Sequence, residues 1–189
     1  MHEYLGFGGT FAAGKDTLAV HLCKTYGYMM LSSGDLVRDI AMKDYGNIER
    51  ETLRKTANEY RSKNGSDYFI RLAFERYQVR KKQNPSIKGI IISGLRSVGE
   101  VRAMKDNGAL IVFVDADSRV RYERMRERKR DDEVLKTFDE FTAGEKTEMK
   151  NDDENAQNIG AVKAMADVVL DNSGEVDAFL SSAVHKLQQ

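Results

Sequence analysis

The sequence predicts an α/β protein in which a doubly wound, parallel sheet of five strands is flanked by helices. Short apolar runs alternate along the chain with longer stretches of helical periodicity, which is the pattern of strands joined by crossover helices. Two of these runs, Ile90–Ile92 and Leu110–Val114, are apolar without alternation. Such runs are typical of strands that are buried on both faces of a parallel sheet.

The predicted elements follow in order, with glycines at several of their ends. The strands are Tyr4–Phe7, Met29–Leu31, Ile90–Ile92, Leu110–Val114 and Asp167–Asp171. A first helix begins near Lys15, because Leu18, Leu22 and Tyr26 form one apolar stripe. Further helices are predicted at Asp35–Tyr45, Glu49–Lys63, Ser66–Gln83, Asp117–Arg130 and Gly174–Leu187, and the polar residues 131–160 are interpreted as two helices with a mobile connection.

Composition argues against several classes of protein. The 30 basic and 30 acidic residues balance, so overall charge favours neither a nucleic-acid nor a membrane partner, although it does not exclude a local basic patch. One cysteine, Cys23, allows no internal disulfide, and no signal peptide or membrane span is evident. We therefore expect a cytoplasmic protein, either a monomer or a homodimer.

The strongest motif is the segment Gly8–Thr17 (GGTFAAGKDT), which follows a predicted strand and opens a helix. That context is the one a phosphate-binding loop requires. We expect a concavity of backbone N–H groups that binds the phosphates of ATP, formed around Gly9, Ala12, Ala13 and Gly14. Lys15 would place a positive charge near the β- and γ-phosphates. The alternative is a glycine-rich turn with an incidental lysine.

Position 16 departs from the usual phosphate-loop pattern, in which a serine or threonine follows the lysine and binds Mg²⁺. Here Asp16 follows the lysine, and the hydroxyl comes one residue later at Thr17. The spacing Gly-Lys-x-Thr resembles nucleoside monophosphate kinases, and Gly-Lys-Asp-Thr resembles some deoxynucleotide kinases. The resemblance implies that both side chains lie at the nucleotide and its magnesium ion.

A second segment, Leu31–Arg38 (LSSGDLVR), follows the second predicted strand. A helix N-terminus with Arg38 one turn in favours an anionic ligand. The segment resembles the Ser-Thr-Gly-Asp-x-x-Arg segment of adenylate-kinase-like enzymes, which implies that Ser33 and Arg38 hold an acceptor monophosphate. The alternative is a plain helix cap made by Ser33 or Asp35.

A third segment places Arg96 just past the end of the third predicted strand, where open α/β sheets bind ligands. The same family has Asp-Gly-x-x-Arg or Asp-Gly-x-Arg here, which implies that Arg96 clamps the acceptor phosphate. The family's carboxylate is replaced by Ser93. We hypothesise that the metal-organising carboxylate has moved to Asp16, and that Asp35 supplies a second one. Alternatively, Asp16 only caps its helix and Asp35 alone serves the ion.

An arginine-rich stretch between 119 and 130 contains Arg124 and Arg128, which share one helix face. It resembles the helix that enters the lid of these kinases, where two arginines of this spacing bind ATP and neutralise the transferring group. A solvated helix and a nucleic-acid-binding stripe are the alternatives.

Near the C-terminus, Ala166–Gly174 (ADVVLDNSG) resembles the ending of dephospho-coenzyme A kinases, which implies that Asn172 and Gly174 lie near the adenine of ATP. Turn chemistry alone also explains those residue types.

These resemblances extend from about residue 4 to 180 and imply one kinase domain, 1–189. Its parts would be a core (1–33, 86–120 and 161–189), acceptor-binding helices (34–85) and a lid (121–160). The implied activity is transfer of the γ-phosphoryl group of ATP, with Mg²⁺, to a small nucleotide-like acceptor, by preference a nucleoside or deoxynucleoside monophosphate. The residues with catalytic roles would be Lys15, Asp35, Arg96, Arg124 and Arg128.

Three alternatives to a nucleoside monophosphate kinase stay open. A dephospho-coenzyme A kinase would use Asp35 as the base for a sugar hydroxyl. A P-loop NTPase that switches a partner would need no small acceptor, and Ser93 favours it. A nucleic-acid 5′-end kinase is suggested only by the arginines near residue 124.

Overall fold

The computed structural model describes residues 1–128, 137–149 and 158–189. Five parallel strands form one sheet in the order β2-β3-β1-β4-β5. The strands are β1 (Tyr4–Gly9), β2 (Tyr28–Ser32), β3 (Gly89–Leu95), β4 (Leu110–Asp115) and β5 (Val168–Asp171). The predicted fold class is therefore confirmed.

Nine helices lie within the described residues. They are α1 (Lys15–Tyr26), α2 (Ser33–Tyr45), α3 (Arg50–Asn64), α4 (Tyr68–Gln83), α5 (Val98–Asp106), α6 (Ser118–Arg128), α7 (Phe138–Met149), α8 (Ile159–Ala164) and α9 (Val176–Gln188). Helix α5 was not among the predicted elements. The connection predicted between the two lid helices lies outside the described residues.

The sheet separates two hydrophobic cores, as a doubly wound fold requires. On one face, α1 and α9 pack on the sheet through residues such as Leu18, Leu22 and Phe179. On the other face, α2, α4, α5 and α8 supply the buried side chains, among them Phe69 and Tyr77. Burial on both faces explains the continuous apolar runs Ile90–Ile92 of β3 and Leu110–Val114 of β4.

Helix α8 belongs to the packing of the sheet. Its Ile159 and Val162 are buried against the second core. A Cβ atom on Gly8 of β1 would lie 2.6 Å from Val162 Cγ1, so only glycine allows α8 to approach the strand this closely. The predicted boundary between lid and core, after residue 160, thus falls inside α8.

One irregularity of the sheet lies at the end of β3. Phe7 pairs with Ser93 but Gly8 pairs with Leu95, so Gly94 is the extra residue of a bulge. Gly94 has φ 91°, a left-handed conformation that favours glycine. The bulge redirects the chain just before Arg96, beside the loop that follows β1.

In the part of the chain that the structure describes, no helix is both long and apolar enough to cross a membrane.

Candidate functional site

The loop between β1 and α1 has the backbone of a phosphate cradle. Ala12 (φ 59°) and Gly14 (φ 92°) both adopt left-handed conformations. Ala12 is the one non-glycine residue with positive φ in the described chain. The Ala13 N–H closes a turn on Thr10 O at 3.2 Å, and α1 begins directly after Gly14, with no side-chain cap on its N-terminus. Alternating backbone conformations of this kind direct successive N–H groups into one anion-binding concavity.

Lys15 lies among both acidic and basic side chains at the phosphate loop. Burial lowers the pKa of its ammonium below the ordinary 10.5, and Arg96 and Arg128 lower the pKa further, while Asp16 opposes the shift. The ammonium Nζ lies 3.4 Å from Asp16 Oδ2. The structure thus brings together three cations that come from the phosphate loop, the end of β3 and α6. An anion bound among them would relieve their mutual repulsion.

The two residues that depart from the family pattern contact each other. The Ser93 hydroxyl donates a hydrogen bond of 2.8 Å to Asp16 Oδ1. Ser93 is buried at the end of β3, whereas the Asp16 side chain is half exposed. Asp16 therefore presents a carboxylate beside Ser93, the position at which the resemblance described above predicts one. Thr17 follows it, exposed in the first turn of α1.

The start of α2 faces the β3 bulge. The buried Ser33 hydroxyl donates to Gly94 O at 3.0 Å. The helix cap is Ser32, whose Oγ accepts from the Gly34 N–H, so neither Ser33 nor Asp35 caps α2 as the alternative interpretation proposed. Asp35 and Arg38 form an exposed ion pair at 2.8 Å. An anionic acceptor that bound Arg38 would compete with Asp35 for the guanidinium.

Glu100 holds the backbone at Arg96, a role that was not predicted from the sequence. Its fully buried carboxylate accepts hydrogen bonds from the backbone N–H groups of Arg96 (2.8 Å) and Ser97 (3.3 Å). Its other oxygen pairs with Arg61 of α3 at 2.9 Å. The signal was present, because Ser97 and Glu100 form a capping box. The pairing with Arg61 had no such signal, since it spans 39 positions.

A second missed carboxylate, Asp115, lies at the end of β4. It accepts hydrogen bonds from Thr10 Oγ1 (2.7 Å) and Lys163 Nζ (2.6 Å). Burial favours a higher pKa for Asp115, but the hydrogen bonds from Lys163, Thr10 and the Ala116 N–H, together with the charge of Lys163, outweigh it and hold the pKa below the ordinary value. Asp115 thereby fixes the first half of the phosphate loop to the neighbouring strand.

Helices α6 and α7 close over the phosphate loop. Arg121 makes two hydrogen bonds to the Glu145 carboxylate of α7 and donates to Ala116 O at 2.7 Å. The Phe11 ring lies 6.3 Å from the Phe141 ring and 5.0 Å below the Arg128 guanidinium. Arg128 therefore contacts the phosphate loop through Phe11.

Arg124, the other predicted lid arginine, is partly buried. Its Nη1 is a buried donor for which the described residues provide no hydrogen-bond partner. A phosphate oxygen of a bound ligand would satisfy such a buried guanidinium donor.

The two residues predicted to lie near the adenine occupy different environments. Asn172 is buried against the phosphate loop, whereas Gly174 lies exposed in the turn after β5.

The sequence matches the family model described as an AAA domain over residues 6–143. The UPF0200 protein of Staphylothermus marinus is 28% identical over 182 residues, which cover 96% of this chain and 89% of that protein. The UPF0200 protein of Pyrobaculum aerophilum is 31% identical over 154 residues, which cover 79% of each chain.

Solved structures share the fold at low sequence identity. A Thermus thermophilus protein aligns with a TM-score of 0.62 and 17% identity over 98% of this chain and 95% of that one. Shikimate kinase from Bacteroides thetaiotaomicron aligns with a TM-score of 0.54 and 17% identity, over 98% of this chain and 96% of that one. Dephospho-CoA kinase from Campylobacter jejuni aligns with a TM-score of 0.56 and 13% identity, over 100% of this chain and 96% of that one. The chain therefore has the fold of P-loop kinases.

Proposed function

The chain belongs to the AAA domain family and to the UPF0200 proteins, and from that premise we propose that it is an ATP-dependent phosphotransferase. The acceptor would be a small nucleotide-like molecule, by preference a nucleoside or deoxynucleoside monophosphate. The observation behind the proposal is that cations from a second element cover the phosphate loop: the Arg128 guanidinium of α6 lies 5.0 Å from the centre of the Phe11 ring, and Arg124 of the same helix has a buried Nη1 without a hydrogen-bond partner among the described residues. A nucleotide-binding loop alone needs Lys15, whereas transfer between two anions needs further cations between them.

In the proposed reaction, the loop N–H groups and Lys15 hold the β- and γ-phosphates of ATP. Arg96, fixed through its backbone by Glu100, holds the acceptor phosphate on the other side of the transferring group, with Ser33 and Arg38 beside it. Arg124 and Arg128, both in α6, stabilise the charge that develops during transfer. Closure of α7 over Phe11 excludes water, which limits hydrolysis.

The residues present fit a magnesium ion. Within the ranges described, no group of three or more His, Cys, Asp or Glu side chains could hold a metal by itself. Mg²⁺ in ATP sites instead takes one or two carboxylates together with phosphate oxygens and water, and Asp16, Thr17 and Asp35 are suitable protein groups. When bound, Mg²⁺ supplies charge neutralisation at the phosphates.

Acceptor-stimulated ADP release tests this proposal. ADP is measured with ATP alone and then with nucleoside monophosphates, deoxynucleoside monophosphates, dephospho-coenzyme A or 5′-hydroxyl oligonucleotides. We expect one of the first two groups to stimulate release. Stimulation by dephospho-coenzyme A or by oligonucleotides would assign the acceptor differently, and release that no acceptor changes would favour the partner-binding switch. Lys15→Ala should abolish release, and the matched control Lys24→Ala, exposed on the same helix, should not.

A further inference from the structure

Asn172 makes a contact that its expected place near the adenine does not explain. Its side chain is 3% exposed, and its Nδ2 donates a hydrogen bond of 2.8 Å to Ala13 O in the phosphate loop. Its backbone N–H donates to Asp115 O at 2.8 Å. Asn172 therefore connects the end of β5, the end of β4 and the phosphate loop.

The contact is close enough to dictate the residue at position 14. A Cβ atom on Gly14 would lie 2.3 Å from Asn172 Nδ2, which no side chain can tolerate. Gly14 also has φ 92°. Glycine is therefore required here both for the backbone turn and for the approach of the amide.

The geometry of the peptide unit gives this hydrogen bond a consequence. The Ala13 carbonyl and the Gly14 N–H belong to one planar trans peptide, in which the two groups point in opposite directions. Because Asn172 holds the carbonyl, the Gly14 N–H must point away from Asn172. A backbone N–H fixed in orientation before the ligand arrives binds an anion without a reorganisation cost.

Only the donor end of the amide is used. Asn172 Oδ1 is buried, and the described residues offer it no hydrogen-bond partner. A carbonyl oxygen can only accept, so the amide nitrogen must face Ala13. A donor to Ala13 is therefore the feature that this position requires.

We propose that Asn172 is a positioning residue for phosphate binding: it orients the Gly14 N–H toward the phosphates of ATP. The inference rests on the proposed function, because it presumes a phosphate ligand at this loop. The hydrogen bond from Thr10 to Asp115 fixes the first half of the same loop. The two halves of the loop are therefore fixed by residues at the ends of β4 and β5. It also means that Asn172 acts on the phosphates and not on the base.

Isothermal titration with ATP, GTP and inorganic tripolyphosphate tests the proposal, since tripolyphosphate has no base. In Asn172→Leu the side chain keeps about the same size but loses the donor without adding a charge, and we expect about tenfold weaker binding of all three ligands, the size of one weakened hydrogen bond from the Gly14 N–H to a charged ligand. Asn172→Ala should show the same loss if the leucine variant folds poorly. Asn107→Leu is the control, because Asn107 Nδ2 donates to Ala103 O at the same 2.8 Å at the end of α5, and it should bind like wild type.

Three results would overturn the inference. Unchanged tripolyphosphate binding with an altered ratio of ATP to GTP affinity would place Asn172 at the base. Wild-type affinity for all three ligands in both variants would leave the hydrogen bond without a role in binding. If the wild-type protein itself bound none of the three, the proposed function would be wrong, and the inference would be wrong with it.

Discussion

Lys15 carries its charge at a cost to the folded protein. Burial and two arginines lower its pKa, so the folded state binds its proton less tightly than the unfolded chain does. Between the lowered pKa and the ordinary 10.5, the unfolded chain holds more protons, and the free energy of unfolding therefore rises with pH across that window. Below it, the cost of the buried charge is fully present.

Lys15→Met should remove that cost together with ligand binding. We expect the variant, without ligand, to be at least as stable as wild type at pH 7 and to show a smaller rise in stability toward pH 10. When ATP is present at about a hundred times its Kd, the free energy of unfolding of the wild type should rise by about 2.7 kcal/mol, and that of the variant should not change. Thermal unfolding with and without ATP measures both effects. A variant that ATP still stabilises would contradict the role of Lys15.

The contact between Asp16 and Ser93 permits an exchange experiment. Asp16→Ser should raise the Mg²⁺ concentration for half-maximal turnover by about 10- to 100-fold, the usual cost of losing a metal-supporting group. Adding Ser93→Asp restores a hydroxyl after the lysine and a carboxylate on β3, and should recover most of the loss. Magnesium titrations of the single and double variants decide it. If the double variant needed as much Mg²⁺ as Asp16→Ser, the hypothesis that the carboxylate has moved from β3 to position 16 would be wrong. Asp16 would then have only a structural role in α1.

At the scale of elements, Glu100 joins α3, α5 and the end of β3. Replacing its charge by Glu100→Gln leaves Arg61 paired with a neutral group, and removing one partner of a buried ion pair destabilises by about 3–5 kcal/mol. The exposed pair of Asp39 and Arg76, 2.7 Å apart, is the control. Asp39→Asn should cost less than about 1 kcal/mol. Urea denaturation measures both, and equal losses would refute a special role for Glu100.

Phe11 connects the phosphate loop with helices α6 and α7. Its ring lies 5.0 Å below the Arg128 guanidinium, an arrangement that cation–π attraction stabilises. Phe11→Leu should lower kcat about three- to tenfold with little change in the KM for ATP, because Arg128 loses its support while the loop backbone stays. Phe11→Tyr keeps the ring and should behave like wild type. Steady-state kinetics of both variants test this, and a rise in KM alone would place Phe11 in ground-state binding.

Strands and most helices could be predicted because their signals are local. Apolar runs such as Ile90–Ile92 mark strands buried on both faces, and the phosphate loop has a fixed spacing of glycines and lysine. Helix α5 is short and was missed, although its capping box at Ser97 and Glu100 could have revealed it.

The contacts that shape the site could not be predicted in the same way. The hydrogen bond from Asn172 to Ala13 spans 159 positions, and that from Ser93 to Asp16 spans 77. No sequence periodicity reports such distant pairs, because strand order and register set them. The sequence located the departure from the pattern at residues 16 and 93, but only the fold shows that the two side chains touch.

For the whole molecule, the parallel sheet gathers these groups at one edge. Lys15, Arg96, Asp115 and Asn172 lie at or just beyond the carboxyl ends of β1, β3, β4 and β5, which are neighbours in the sheet. Such an edge is where open α/β sheets bind ligands. We propose that two anionic ligands meet there and exchange a phosphoryl group.

Transfer of a labelled γ-phosphoryl group from ATP tests that claim most directly. The protein is incubated with labelled ATP, Mg²⁺ and a set of nucleoside and deoxynucleoside monophosphates, and the products are separated. We predict label in one nucleoside diphosphate, its loss in Arg96→Ala, and its retention in Arg102→Ala, an exposed control on α5. Label found only in inorganic phosphate, with every acceptor and at the same rate without one, would contradict the account.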